Sequence, residues 1–102
     1  MNSQVTTKMV LASDYTITRE GLSSLFCQYP EIEIIGQAQR IMAAPPKVRE
    51  LLPDVVLIEI GVPGRADGLR AATDIAQQSC KTRILVLTNN GDLPYVLSLI
   101  HI

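Results

Sequence analysis

Residues 54–64 read DVVLIEIGVPG. The run opens on four consecutive apolar residues, Val55, Val56, Leu57 and Ile58, as expected of a strand buried on both faces. An acid, Glu59, stands towards its far end, and Gly61, Pro63 and Gly64 then supply turn chemistry. In an open parallel sheet, ligands bind just beyond the carboxyl ends of the strands. A carboxylate at that place makes Glu59 the first candidate for a functional role.

Upstream, residues 8–12 (KMVLA) form a short apolar strand ending in Ser13 and Asp14, a second polar pair at a strand's carboxyl end. Asp14 is suited to cap the helix that follows. That helix is predicted over residues 17–28, with Leu22, Leu25, Phe26 and Tyr29 on one apolar stripe. Gly21 in its middle costs about 1 kcal/mol relative to alanine, which implies close packing against the sheet. Pro30 ends the helix by disfavouring helical geometry at Tyr29. Residues 31–38 alternate Glu31 and Glu33 with Ile32 and Ile34, the pattern of an edge strand with one wet face. Pro45 and Pro46 fit only the first turn of a helix. It is placed at residues 45–52 with Val48, Leu51 and Leu52 buried, and Pro53 stops it.

Downstream of the central stretch, Asp67 is placed to cap a helix over residues 68–78 with Leu69, Ala72, Ile75 and Ala76 inward. Residues 83–88 (RILVLT) read as a fourth strand ending in Thr88, residues 89–92 as a turn, and Pro94 as the first turn of a fourth helix. Strands alternate with helices, so the class is α/β, with a parallel sheet covered on both faces and right-handed crossovers.

At 102 residues, 47% of them hydrophobic, the chain is one small domain with a core of its own. A net charge of −1 gives no electrostatic reason for direct nucleic-acid binding. Cys27 and Cys80 stand far apart without a metal or disulfide pattern and read as free, buried thiols. Residues 1–7 read as a flexible polar leader without the apolar core of a signal peptide, and no run reaches membrane-spanning length. The expectation is a cytoplasmic protein that does not engage a membrane.

Three strands therefore end in Ser13-Asp14, Glu59 and Thr88. In a parallel sheet these ends share one rim, where two carboxylates and a hydroxyl offer oxygen ligands suited to a hard divalent cation.

With these pieces in place the sequence resembles the receiver domain of bacterial response regulators, especially the NarL/LuxR-type subfamily that carries a helix-turn-helix output. The matching segments are VLASD, TREGLSSLF, YPEIEIIGQA, LLPDVVLIEIGVPG, DGLRAA and TRILVLT, in family order over residues 9–96. The resemblance implies a flavodoxin-like, doubly wound parallel sheet, here truncated after the fourth strand and the start of the fourth helix. It implies a two-component partner, a histidine kinase or another signalling protein, and an output domain outside this chain that binds DNA and regulates transcription. It implies a phosphoacceptor Asp where this chain has Glu59. An acid pair binds magnesium in such domains, and here Ser13 replaces its first member while Asp14 keeps its second. The backbone of Gly61 would complete the metal site, and Thr88 would sense the phosphoryl group. The loop at residues 64–68 is one residue longer than the subfamily pattern, and the family's later Lys has no counterpart.

Phosphoryl transfer depends on positioning and on neutralising charge. Glu59 is longer than Asp by about 1.5 Å, which moves its oxygens out of line, and Ser13 removes one negative charge from the metal's surroundings. The expectation is a receiver-like signalling domain that is phosphorylation-independent or partly phosphomimetic, with weak, vestigial Mg2+ binding through Asp14, Glu59 and Gly61. In the phosphomimetic case, Glu59 accepts a hydrogen bond from Thr88. The alternative is a receiver that still binds metal and takes a phosphoryl group. A nucleotide-binding or enzymatic α/β fragment fits less well, because the turn LASDYTITREG lacks spaced glycines and the chain has no Ser-His-Asp or Cys-His set. The final run LSLIHI, residues 97–102, matches the translation of a widely used transposon-derived sequencing adapter. It is expected to be a non-native tail, so His101 is not a ligand and the fourth strand is left as an open edge of a four-stranded sheet.

Overall fold

The computed structural model of the protein describes residues 6–60, 67–79, 81–88 and 97–100, with backbone alone at residues 88 and 97–100. One sheet holds β1 (Thr7–Ala12), β2 (Ile32–Ala38), β3 (Val55–Ile60), β4 (Arg83–Thr88) and β5 (Leu97–Ile100), in the spatial order β2-β1-β3-β4-β5. The first four strands pair in parallel, as strands joined by helical crossovers must. The helices are α1 (Thr16–Phe26), α2 (Ala44–Leu51) and α3 (Asp67–Gln78), and a 3-10 turn at Ile41–Ala43 leads into α2. Because β1 lies between β2 and β3, the winding reverses there. A reversal of this kind opens a crevice at the strands' carboxyl ends, and the order is that of flavodoxin-like folds.

Strand alternation feeds two apolar layers. Val10, Ala12, Val56, Ile58, Ile84 and Val86 face Ala44 and Val48 of α2 and Ala71, Ala72 and Ile75 of α3. Met9, Leu11 and Leu57 form the other layer, against Leu22 and Phe26 of α1. β2 is an edge strand, as its alternation predicts, but it carries a bulge. Met9 pairs with Ile34 and Val10 with Gly36, so Ile35 is the extra residue. The bulge shifts the alternation and brings Gly36 and Ala38 onto the α2 face. A Cβ on Gly36 would lie 2.6 Å from Leu51 Cδ1, so a side chain there would push the half-buried tip of Leu51 aside.

Several expectations are corrected. Leu69 is 61% exposed, and α3 buries Gly68, Ala71, Ala72 and Ile75 instead. Helical rotation from Ile75 explains this: Ala71 and Ala72, four and three residues before it, share its face, whereas Leu69 is six away. Asp67 is the first residue of α3 and not a residue before it, so it acts as an acid in the first turn. Leu25 and Tyr29 are exposed, leaving Leu22 and Phe26 as the contacts of α1. Leu52 is exposed because it leaves α2 in the left-handed conformation, with φ 50°. Cys27 is exposed, with its thiol donating to the Ser24 carbonyl at 3.0 Å; Cys80 lies outside the described residues.

β4 is not an open edge. Leu97–Ile100 pairs antiparallel with it, Ile84 opposite Ile100 and Leu87 opposite Leu97. An unpaired row of backbone donors and acceptors on β4 is the physical reason such a run is drawn in. The fourth helix expected from Pro94 falls outside the described residues.

Gly21 is exposed, and a Cβ built on it meets nothing within 4 Å. Close packing therefore does not explain it. Gly21→Ala is expected to stabilise the domain by about 1 kcal/mol, from helix propensity alone, read as a higher midpoint in chemical denaturation.

Candidate functional site

β1 and β3 end side by side. Ala12 pairs with Ile58, so the next residues, Ser13 and Glu59, meet at the switch point, and alternation turns both towards the α1 face. Ser13 is 2% exposed and Glu59 8%. Ser13 Oγ donates to Glu59 Oε1 at 2.5 Å, the short range of hydroxyl–carboxylate bonds. A hydroxyl has one proton to give, and its other neighbouring acceptor, the Tyr15 carbonyl, is 3.4 Å away. The same oxygen accepts the Tyr15 N–H at 3.0 Å, a serine turn that starts the chain into α1.

The backbone of Ser13 is held as firmly. Its N–H donates to the Ala38 carbonyl at 3.2 Å. Its carbonyl accepts from Arg19 Nη1 at 2.7 Å, and Arg19 Nη2 donates to Thr16 Oγ1 at 3.2 Å. Arg19 is the buried residue of α1. Its guanidinium ties the first turn of that helix to the tip of β1.

Asp14 turns away. Its side chain is exposed, and Oδ1 accepts the Ile41 N–H at 3.0 Å, at the start of the 3-10 turn. The first amides of a helical turn lack internal partners, and Asp14 supplies one across the chain. It does not cap α1, whose N-cap is Tyr15 without a side-chain bond. Asp14, Asp67, Gln39, Arg40, Ile41 and Met42 line an open cleft at this end of the sheet.

Of the residues the sequence gathers on one rim, Glu59 is therefore joined by Ser13, and the bond Asp14 makes goes to Ile41. Thr88 reaches the same end, its backbone opposite Ile60, but its side chain lies outside the described residues, so the expected Thr88–Glu59 bond does too. Gly61 lies outside them as well. The Ser13–Glu59 contact escaped the sequence reading, although a signal existed: each residue follows an apolar residue that faces the other layer. The burial of Arg19 had no such signal.

The pattern of the response regulator receiver domain matches residues 9–102. The chain belongs to that family. Relatives of this receiver domain include the uncharacterized transcriptional regulatory protein YhcZ of Bacillus subtilis (strain 168), 34% identical over 90 residues, 88% of this chain and 42% of that protein. The oxygen regulatory protein NreC of Staphylococcus aureus (strain JH9) is 32% identical over 94 residues, 92% of this chain and 43% of that one. The chain thus spans less than half the length of these curated relatives. The signal receiver domain of the putative response regulator NarL from Mycobacterium tuberculosis superposes with a TM-score of 0.75 at 27% identity, covering 87% of this chain and 70% of that one. A LuxR-family two-component response regulator from Aurantimonas sp. SI85-9A1 gives 0.74 at 30% identity, covering 83% and 60%. The NarL/LuxR-type resemblance and the flavodoxin-like fold are both borne out. Among the described residues, no helix is long and apolar enough to cross a membrane.

Receiver domains typically bind Mg2+ at the phosphorylation site, and the described residues match that ion poorly, because both Ser13 oxygens and one oxygen of each carboxylate already hold hydrogen bonds. Ser13 offers a neutral hydroxyl whose proton is turned to Glu59, and Asp14 Oδ1 is committed to Ile41. Among the described residues, no group of three or more His, Cys, Asp or Glu side chains is placed to hold a metal.

Proposed function

We propose that this receiver domain signals through protein contacts and does not use phosphoryl transfer. The observation that carries the reading is the hydrogen bond from Ser13 to the buried Glu59. A phosphoacceptor must present an oxygen in line with the donor, in a site where charge is neutralised. Glu59 stands where the resemblance implies an Asp, and one of its oxygens is already bound sideways by Ser13.

Glu59 also acts as a partial phosphomimetic. Its fixed charge of about one compares with up to about two for a phosphoryl group, so it biases the balance between receiver conformations without saturating it. The domain functions in the cytoplasm. The full-length protein couples it to a DNA-binding output, in keeping with the transcriptional role in the name of YhcZ, and a histidine kinase or another signalling protein is its partner. The domain is not an enzyme.

Incubation with acetyl phosphate and Mg2+, followed by intact-mass measurement, tests the reading. No phosphoryl adduct is expected. A stoichiometric adduct that disappears in Glu59→Gln contradicts it.

A further inference from the structure

We infer that Ser13 takes the place of the divalent cation at the switch point, and that its hydroxyl, anchored by Arg19, closes the site to Mg2+. The inference rests on the reading that Glu59 takes no phosphoryl group, but it concerns the cation alone.

A hard dication needs several oxygen ligands, preferably anionic. At the tips of β1 and β3, both oxygens of Ser13 and one oxygen of each carboxylate already hold hydrogen bonds. Glu59 Oε1 accepts from Ser13, and Ser13 Oγ gives its proton to that carboxylate and accepts the Tyr15 amide. The Ser13 carbonyl accepts the Arg19 guanidinium at 2.7 Å. Asp14 Oδ1 accepts the Ile41 amide. A cation arriving at Ser13 or at Glu59 Oε1 would have to displace these bonds. The Arg19 guanidinium, bonded to the Ser13 carbonyl, also sets a positive charge at the tip of β1, which disfavours a second cation there.

Serine suits this position for a stated reason. A second carboxylate at position 13 would lie in near contact with that of Glu59, buried, and two such groups need a counter-cation to coexist. A hydroxyl converts the repulsion into a hydrogen bond and removes the need for the ion. Arg19 is the positioning residue. By gripping both the Ser13 carbonyl and Thr16, it keeps Ser13 from swinging out to open the crevice. The identity of residue 13 therefore sets whether the domain's stability depends on Mg2+.

The test uses the full chain and Mg2+ alone, with Mn2+ as a paramagnetic probe in amide NMR spectra. The wild type is expected to melt at the same temperature with and without Mg2+, and to show no selective Mn2+ broadening at Ser13, Asp14 or Glu59. Ser13→Asp is expected to gain a Mg2+-dependent rise in melting temperature and an affinity on the order of tenfold or more tighter, because affinity follows the ligand charge count. Ser13→Asn, of the same size and neutral, is expected to gain neither. Selective Mn2+ broadening in the wild type that is competed by Mg2+ and lost in Glu59→Gln overturns the inference, whether or not Ser13→Asp folds. A folded Ser13→Asp that gains no Mg2+ response overturns it too. A wild type that binds Mg2+ yet takes no phosphoryl group leaves the proposed function standing, whereas an adduct on Glu59 removes it.

Discussion

Truncation of Ser13 to alanine is expected to destabilise the domain by about 2–3 kcal/mol. A hydrogen bond to a charged group contributes about 1.5–3 kcal/mol, and removing one partner leaves the other to bear its desolvation. Glu59 is 8% exposed, so little water is available to replace the lost hydroxyl. The Tyr15 amide also loses its acceptor, but Tyr15 is 45% exposed and water can take that place. For a domain of this size the thermal midpoint is expected to fall by about 10 °C or more. Against a total stability of about 5–15 kcal/mol, one hydroxyl carries a large share. Thermal unfolding followed by circular dichroism reads the effect. A shift of only a degree or two would mean that Glu59 finds its hydrogen bonds elsewhere.

Ile75→Ala is expected to cost about 2–5 kcal/mol, the range for emptying a large aliphatic site that cannot fully collapse. Ile75 is fully buried between α3 and the sheet. The other buried residues of α3 are Gly68, Ala71 and Ala72, too small to fill the space it leaves. α3 also closes tightly on β3, because a Cβ on Gly68 would overlap Ile60, so the helix cannot slide inwards without strain. Leu69→Ala, on the exposed face of the same helix, is expected to change stability by no more than about 0.5 kcal/mol. Denaturant midpoints of the two variants check the contrast. Similar losses for both would contradict the helix rotation described above.

The fold was legible where the signal was periodic or local. The four apolar runs set the parallel strands, and Pro45, Pro46 and Pro53 bounded α2 within a residue, because proline's constraints act on its immediate neighbours. The rotation of α3 was not legible. Its apolar set is mostly alanine, so Leu69 dominated the pattern while the small residues made the contact. The bulge at Ile35 was hidden because it depends on the register between two strands distant in sequence. The edge pairing of β5 is missed for another reason, because residues 97–102 read as a non-native tail.

At the candidate site, the sequence identified the strand tips and Glu59 but not the bond from Ser13 to Glu59. In the sequence alone Ser13 reads as a lost charge and not as a donor. Asp14 reads as a cap for α1, whereas the amide it accepts from, that of Ile41, lies 27 residues further on. Those assignments need the distance between β1, β3 and the 3-10 turn, which only the assembled sheet provides. Arg19 follows the same logic: an arginine in an amphipathic helix reads as surface until the carbonyl it grips is known.

The central claim is that Ser13 and Glu59 act as one unit at the switch point. A double-mutant cycle with Ser13→Ala, Glu59→Met and the double variant, measured by chemical denaturation, tests it most directly. The account predicts a coupling of about 1.5–3 kcal/mol, the range of a hydrogen bond to a charged group, with the double variant losing much less than the sum of the single changes. Additivity within about 0.5 kcal/mol would contradict it.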